Sequence, residues 1–154
     1  MGKSITVADK CPKFTLKDQD GKLFNVEEVL GKENLIIYFY PKDETSGCTK
    51  QACSFRDAYE DFESADAKVI GISSDDENSH KKFAKKYNLP FTLLADSDKK
   101  VRKAFGVPTN LLGLIPGRVT YIIDKKGIVR GLFNSQMKVE QHVKEALLIL
   151  EQLK

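Results

Sequence analysis

The run Leu35-Ile36-Ile37-Tyr38-Phe39-Tyr40 is apolar at six consecutive positions, and it constrains the fold more than any other stretch of the chain. Successive side chains of a strand point to opposite faces, so such a run needs both faces covered, as in the centre of an α/β sheet. The rest of the chain supplies the neighbours and the covering layers. Phe14-Thr15-Leu16 and Leu23-Phe24-Asn25-Val26 flank the turn-rich Asp18-Gln19-Asp20-Gly21 and read as an N-terminal β-hairpin. From Cys48 to Glu63, Ala52, Phe55, Tyr59 and Phe62 recur at the spacing of one amphipathic helix. Strands are expected at Lys68 to Ser73 and Phe91 to Ala95, and helices at Ser79 to Tyr87 and Ser97 to Phe105. Val119 to Asp124 and Ile128 to Phe133 form a second hairpin about Lys125-Lys126-Gly127. Val139, Val143, Ala146, Leu147, Leu150 and Leu153 mark a long C-terminal helix. This order predicts a central mixed sheet flanked by helices, with the first hairpin as an extension, in one α/β unit over residues 1–154. It is compatible with a thioredoxin-like fold.

The 154 residues are 41% hydrophobic, enough for one core without staples. Charged residues are abundant, but the net charge is only +3, and lysine clusters such as Lys81, Lys82, Lys85 and Lys86 are interrupted by acids along the chain. That is a solvated surface, so no nucleic-acid partner is expected. No stretch approaches the roughly 20 apolar residues of a membrane span, and no secretory signal is visible. The expectation is a soluble intracellular protein with no membrane partner. Met1-Gly2-Lys3-Ser4-Ile5-Thr6 fits the loose myristoylation pattern, which often arises by chance. Three cysteines are too few for a secreted disulfide framework, which leaves reactive thiols or small buried hydrophobes.

The chemistry concentrates where the central strand ends. Pro41-Lys42-Asp43-Glu44-Thr45-Ser46-Gly47 leads to Cys48 in the first turn of the expected helix. Ligands of open α/β sheets gather at the carboxyl ends of strands, and unpaired N–H groups at a helix start favour an anion. Cys48 is thus positioned to be a thiolate. A free cysteine, with a pKa of about 8.5, is only a few per cent ionised at neutral pH. Lowering it by three units takes about 4 kcal/mol, of which a helix terminus supplies at most about 2. A cation must contribute. Full ionisation would raise the reactive fraction only about thirtyfold, so charge developing on an attacked substrate also needs donors beside the sulfur. Thr45 offers a hydroxyl for that role or a helix cap; Arg118 is the cation or a surface charge. Cys53, five residues beyond Cys48, would lie roughly 8 to 9 Å away between Cα atoms on an ideal helix. A disulfide needs less than about 7 Å, so a Cys48–Cys53 bridge would require the first turns to unwind. The alternative is a packed core thiol.

Tyr38-Phe39-Tyr40-Pro41, Thr45-Ser46-Gly47-Cys48-Thr49 and Gln51-Ala52-Cys53-Ser54-Phe55-Arg56-Asp57 together resemble the active-site segment of Q-type peroxiredoxins, the bacterioferritin comigratory protein type. The likeness continues through Phe14-Thr15-Leu16, Asp20-Gly21, Val69-Ile70-Gly71-Ile72-Ser73, Leu89-Pro90-Phe91 and Gly117-Arg118. It implies a thioredoxin-fold peroxidase acting on hydrogen peroxide and organic hydroperoxides. In it Cys48 matches the peroxidatic cysteine and Cys53 the resolving one; Thr45 and Arg118 hold the peroxide, with Pro41 and Gly47 in the pocket. It further implies a sulfenic acid on Cys48, a Cys48–Cys53 disulfide, a thioredoxin or glutaredoxin-like reductant, no cofactor and a monomer. Ser46 departs from the usual proline, which leaves the turn less stiff. Asp43-Glu44-Thr45 and Thr49-Lys50-Gln51-Ala52-Cys53 look closer to plant plastid members, which sets a plastid stroma beside the cytoplasm as the expected compartment. Cys11 matches no catalytic position and is expected to be a spectator. His80 and His142 lie far from the cysteines and are expected to be surface helical residues, so no metal site is expected. Two rivals share the fold: a protein thiol–disulfide reductase, which usually carries a closer Cys-x-x-Cys pair, and a non-catalytic redox sensor.

Overall fold

The structure is a computed structural model and describes residues 4–110 and 115–154. The expected hairpin is β1 (Thr15–Asp18) and β2 (Leu23–Asn25), with a 3-10 turn at Val26–Glu28. The apolar run forms β3 (Asn34–Phe39), buried at all six positions. There follow α1 (Ser46–Asp57), α2 (Tyr59–Ser64), β4 (Ala67–Ser73), α3 (Glu77–Lys86), β5 (Thr92–Ala95) and α4 (Lys100–Phe105). The chain continues with β6 (Thr109–Asn110), β7 (Ile115–Pro116), β8 (Val119–Ile123), β9 (Val129–Asn134) and α5 (Val139–Gln152).

Seven strands form one mixed sheet in the order β2-β1-β5-β4-β3-β8-β9, and β6 pairs with β7 separately. β3 is parallel to β4 and antiparallel to β8, which puts the apolar run at the interior of the sheet. Its alternate residues feed two cores. Ile36, Tyr38 and Tyr40 pack with Ala52 and Phe55 of α1, Phe62 of α2, Phe83 of α3 and Val143, Ala146 and Leu150 of α5. Leu35, Ile37 and Phe39 pack on the other face with Cys11, Val26 and Val101 and Phe105 of α4.

Two expected helices have different bounds. The single helix from Cys48 to Glu63 is divided at Ala58 (φ −97°, ψ 8°), whose N–H donates to both Arg56 O and Ser54 O. The apolar spacing runs through the break, so periodicity alone does not reveal it. The helix expected from Ser97 begins at Lys100, because Lys99 is left-handed (φ 63°) and the Asp96 carboxylate accepts from the N–H groups of Val101 and Arg102. The first three residues of the myristoylation pattern lie outside the described residues, and among those described no helix is long and apolar enough to cross a membrane.

Gly117 leads from β7 into β8, and a Cβ placed on it would stand 1.9 Å from the Pro108 carbonyl oxygen. Backbone cannot yield as a side-chain tip can, so Gly117→Ala should destabilise the fold by about 3 kcal/mol or more. Gly131→Ala, which meets only the end of Ile149, should cost distinctly less; urea denaturation compares the two.

Candidate active site

Cys48 is the third residue of α1, in the turn whose backbone N–H groups lack intrahelical acceptors. The residue is 1% exposed and sits in the core among Tyr38, Tyr40, Ala52 and Phe55. Ser46 opens the helix, at the position where proline is accommodated without loss of a hydrogen bond.

Arg118, at the entry to β8, is buried and not a surface charge. Its Nη2 donates to Cys48 Sγ at 3.4 Å, its Nη1 to Gln51 Oε1 at 2.5 Å and its Nε to the Gln136 carbonyl at 3.1 Å. The other two acceptors are neutral, and among the described residues no carboxylate forms an ion pair with it. Gly47 makes the approach possible: a Cβ there would stand 3.2 Å from Arg118 Nη2. Pro41, Thr45, Gly47 and Arg118 line a cleft of about 420 Å³ with Met137 and Val139 on its apolar side. Cys48 itself lies behind that lining.

Thr45 occupies the N-cap position with extended backbone, yet its side chain makes no cap bond. The hydroxyl donates to Lys42 O at 3.0 Å, closing the turn before α1, and borders the cleft. The capping role expected as its alternative is therefore not the one it plays. Cys53 is partly buried in the same unbroken α1 as Cys48. On such a helix their Cα atoms are roughly 8 to 9 Å apart, beyond disulfide reach. Cys11 is buried on the opposite face of the sheet, and burial pushes its thiol up to about 12.

Both histidines correct the expectation of a helical surface, because each is fully buried. His142 Nε2 donates to Ser135 O at 2.8 Å, so Nδ1 is left to accept from Thr120 Oγ1 at 2.7 Å. This neutral ring fixes the loop that offers the Gln136 carbonyl to Arg118. Burial brings its pKa down to about 4, and the charge of Arg118 acts in the same direction. His80 bonds Asp43 at 2.7 Å and the Leu94 carbonyl at 2.9 Å. Asp43, Asp75 and His80 have ligand atoms within 4.8 Å of one another, close enough to surround a metal ion. The Asp43 oxygens and Asp75 Oδ2 already accept from protein donors, however, among them Tyr40, Ser73 and Ser79.

Two further residues escaped the sequence reading. Arg102 donates to the Tyr40 carbonyl, one residue before Pro41, and to the Gly117 carbonyl, one residue before Arg118, both at 3.1 Å. It thereby ties the two walls of the site together; burial lowers its pKa, with Asp96 opposing. Tyr38 stacks on Phe55, and its buried hydroxyl has no hydrogen-bond partner among the described residues. Burial first, then the nearby Cys48 and Asp43, holds it well above its ordinary pKa, so it remains a protonated donor.

A family model described as the AhpC/TSA family matches residues 7–132. The chain is 57% identical over 142 residues to a chloroplastic peroxiredoxin Q of Populus jackii, covering 92% of this chain and 66% of that protein. With a chloroplastic peroxiredoxin Q of Sedum lineare it shares 53% identity over 150 residues, covering 97% of this chain and 80% of the other. Against the poplar protein the chain thus spans just under two thirds of its relative's length. Among solved structures, the peroxidoxin BcpB of Mycobacterium tuberculosis superposes with a TM-score of 0.90 at 32% identity, covering 97% of this chain and 99% of that one. Peroxiredoxin Q of Xanthomonas campestris gives 0.83 at 29%, covering 98% and 97%. The thioredoxin-like architecture expected from the element order is the one these structures share.

His142 carries a linked effect on stability. Its folded pKa of about 4 lies below the 6.5 of the free side chain, so the unfolded chain binds more protons between those values. The stabilisation is complete above pH 6.5 and is lost as pH falls towards 4, by on the order of 3 kcal/mol. Urea midpoints across that window should decline for the parent chain, and the decline should flatten in His142→Gln.

Proposed function

The chain belongs to the AhpC/TSA family, and from that premise we propose that it is a thiol peroxidase of the peroxiredoxin Q type in which Cys48 attacks the hydroperoxide and Cys53 resolves the product. The observation that carries this reading is the buried Arg118 guanidinium, whose one sulfur contact is Cys48 and whose other acceptors are neutral. A desolvated cation without a carboxylate favours an anion beside it, and a thiolate is the reactive form of cysteine.

In the first step the Cys48 thiolate attacks the nearer oxygen of ROOH. An S–O bond forms as the O–O bond breaks, and the departing RO⁻ takes a proton and leaves as ROH, or as water from hydrogen peroxide. Arg118 favours the thiolate and then the charge that develops on the oxygens. Gly47 leaves room for the guanidinium, and Pro41 and Thr45 wall the approach. In the second step the Cys53 thiolate attacks the Cys48 sulfenic sulfur; an S–S bond forms and hydroxide leaves as water. Because both residues lie in α1, its first turns unwind for this step. A dithiol protein of the thioredoxin or glutaredoxin type then supplies two electrons by exchange. A cysteine only 1% exposed suits a small oxidant far better than a folded protein disulfide, which disfavours the reductase alternative. The reading takes the enzyme as a monomer, as the likeness to Q-type members implies, and its chloroplastic relatives favour the plastid stroma.

Mass spectrometry after one equivalent of peroxide tests the assignment: the 48–53 disulfide should form, and both thiols should return on adding thioredoxin. Recovery of both thiols unmodified while peroxide persists would overturn it. Cys48→Ser should abolish consumption. Cys53→Ser should keep one fast turnover in stopped flow and lose recycling. Arg118→Ala should slow the first step by about 10²- to 10³-fold, read by stopped flow.

A further inference from the structure

The turn that carries Pro41 and Thr45 is anchored by buried groups that the peroxide chemistry does not use. Asp43 is 5% exposed. Its carboxylate accepts from the Tyr40 hydroxyl at 2.5 Å and from Ser79 Oγ at 2.8 Å, and it meets His80 Nδ1 at 2.7 Å. The backbone N–H of Asp43 donates to Asp75 Oδ2 at 2.8 Å, which also accepts from Ser73 Oγ at 2.6 Å. His80 Nε2 can only donate to the Leu94 carbonyl, so it carries a proton. The contact between Nδ1 and the carboxylate, at 2.7 Å, is a short hydrogen bond shielded from water. These bonds fasten residue 43 to β4, β5 and α3.

One residue further on the anchoring ends. Glu44 has φ 63°, a left-handed conformation that costs a residue with a Cβ on the order of 1 kcal/mol. Among the described residues its side chain pairs only with the exposed Lys86. Beyond it, Thr45 is tied back to Lys42 and α1 begins.

We propose that the Asp43–His80 pair is the fixed end of the unwinding segment. It holds residues 41–43 in place while the chain from Glu44 through Cys53 releases, and so sets the rate at which α1 opens. This rests on the disulfide mechanism proposed above. Asp43 and His80 are positioning residues with opposed effects on the two steps. A tight clamp keeps Pro41, Thr45 and the start of α1 in register for peroxide attack, and it restrains the opening that brings Cys53 to the sulfenic sulfur. Slow opening leaves that sulfenic acid longer exposed to a second hydroperoxide, which would oxidise it to the sulfinic acid with release of ROH.

Residue-resolved amide exchange on the reduced and disulfide forms of the whole chain tests the hinge. The Asp43 amide should stay protected in both forms, while amides 49–53, whose helical bonds begin with Thr49 N–H to Thr45 O, lose protection in the disulfide form. Asp43→Asn and His80→Gln should each form the disulfide about tenfold faster in rapid-quench mass spectrometry and react with peroxide severalfold more slowly. They should also accumulate less sulfinic acid under excess peroxide. Tyr40→Phe, which removes a single hydroxyl from the cluster, should move all three in the same directions by less and guards against loss of folding in the other variants. Disulfide formation that is unchanged or slower in the folded variants would overturn the proposal. So would a loss of exchange protection in β4 equal to that in α1, the mark of a merely structural role. Absence of peroxide consumption by the parent chain would instead remove the peroxidase reading, and the exchange comparison of reduced parent and variants would still report on the clamp.

Discussion

The site is organised around a positive charge taken out of water. Moving a guanidinium into the interior costs several kcal/mol even after relaxation, and Arg118 makes that move with no carboxylate partner among the described residues. Its surroundings are built for that unneutralised state. Gln51 and the Gln136 carbonyl hold the plane of the guanidinium without cancelling its charge. Gly47 withdraws a Cβ from its path, and Arg102 grips the carbonyls on either side of it. A neutral histidine, not an acid, steadies the loop behind it. Among its hydrogen-bond partners in the described residues, the one able to carry a negative charge is the Cys48 sulfur at the helix start.

Much of this was legible in the sequence because it is local. A doubly apolar strand followed at once by Pro41, Thr45, Gly47 and Cys48 defines its own geometry, and the structure brings Arg118 to the same place. Long-range pairings left fainter signals. His80 stands three residues before the buried Phe83 on α3, and His142 lies between Val139, Val143 and Ala146 on α5. Those positions mark core-facing stripes, but the charged neighbours on α3 obscure one of them. Asp43 as the partner of His80 lies 37 residues away, where no periodicity can reveal it. Arg102 lies next to the buried Val101 in the same way. The break at Ala58 was invisible for a different reason: it interrupts backbone hydrogen bonding and leaves the apolar stripe intact.

α1 has two demands placed on it in the proposed cycle. It must be ordered enough to present Cys48 beside Arg118, and it must come apart far enough to bring two sulfurs together. The turn at Ala58 helps reconcile them, since α1 ends and α2 begins there, joined through a residue whose N–H bonds Ser54 O and whose carbonyl accepts from Phe62 N–H. Opening at the amino end therefore need not propagate into the helix that carries Phe62 into the core.

The two-sided burial of β3 also bears on the third cysteine. Cys11 and Cys48 occupy different cores, with the full thickness of the sheet between them. Three thiols allow three pairwise links in principle, yet a wall of hydrogen-bonded backbone insulates one of the three from the other two. The fold thereby guards the proposed cycle against scrambled, dead-end cross-links to Cys11.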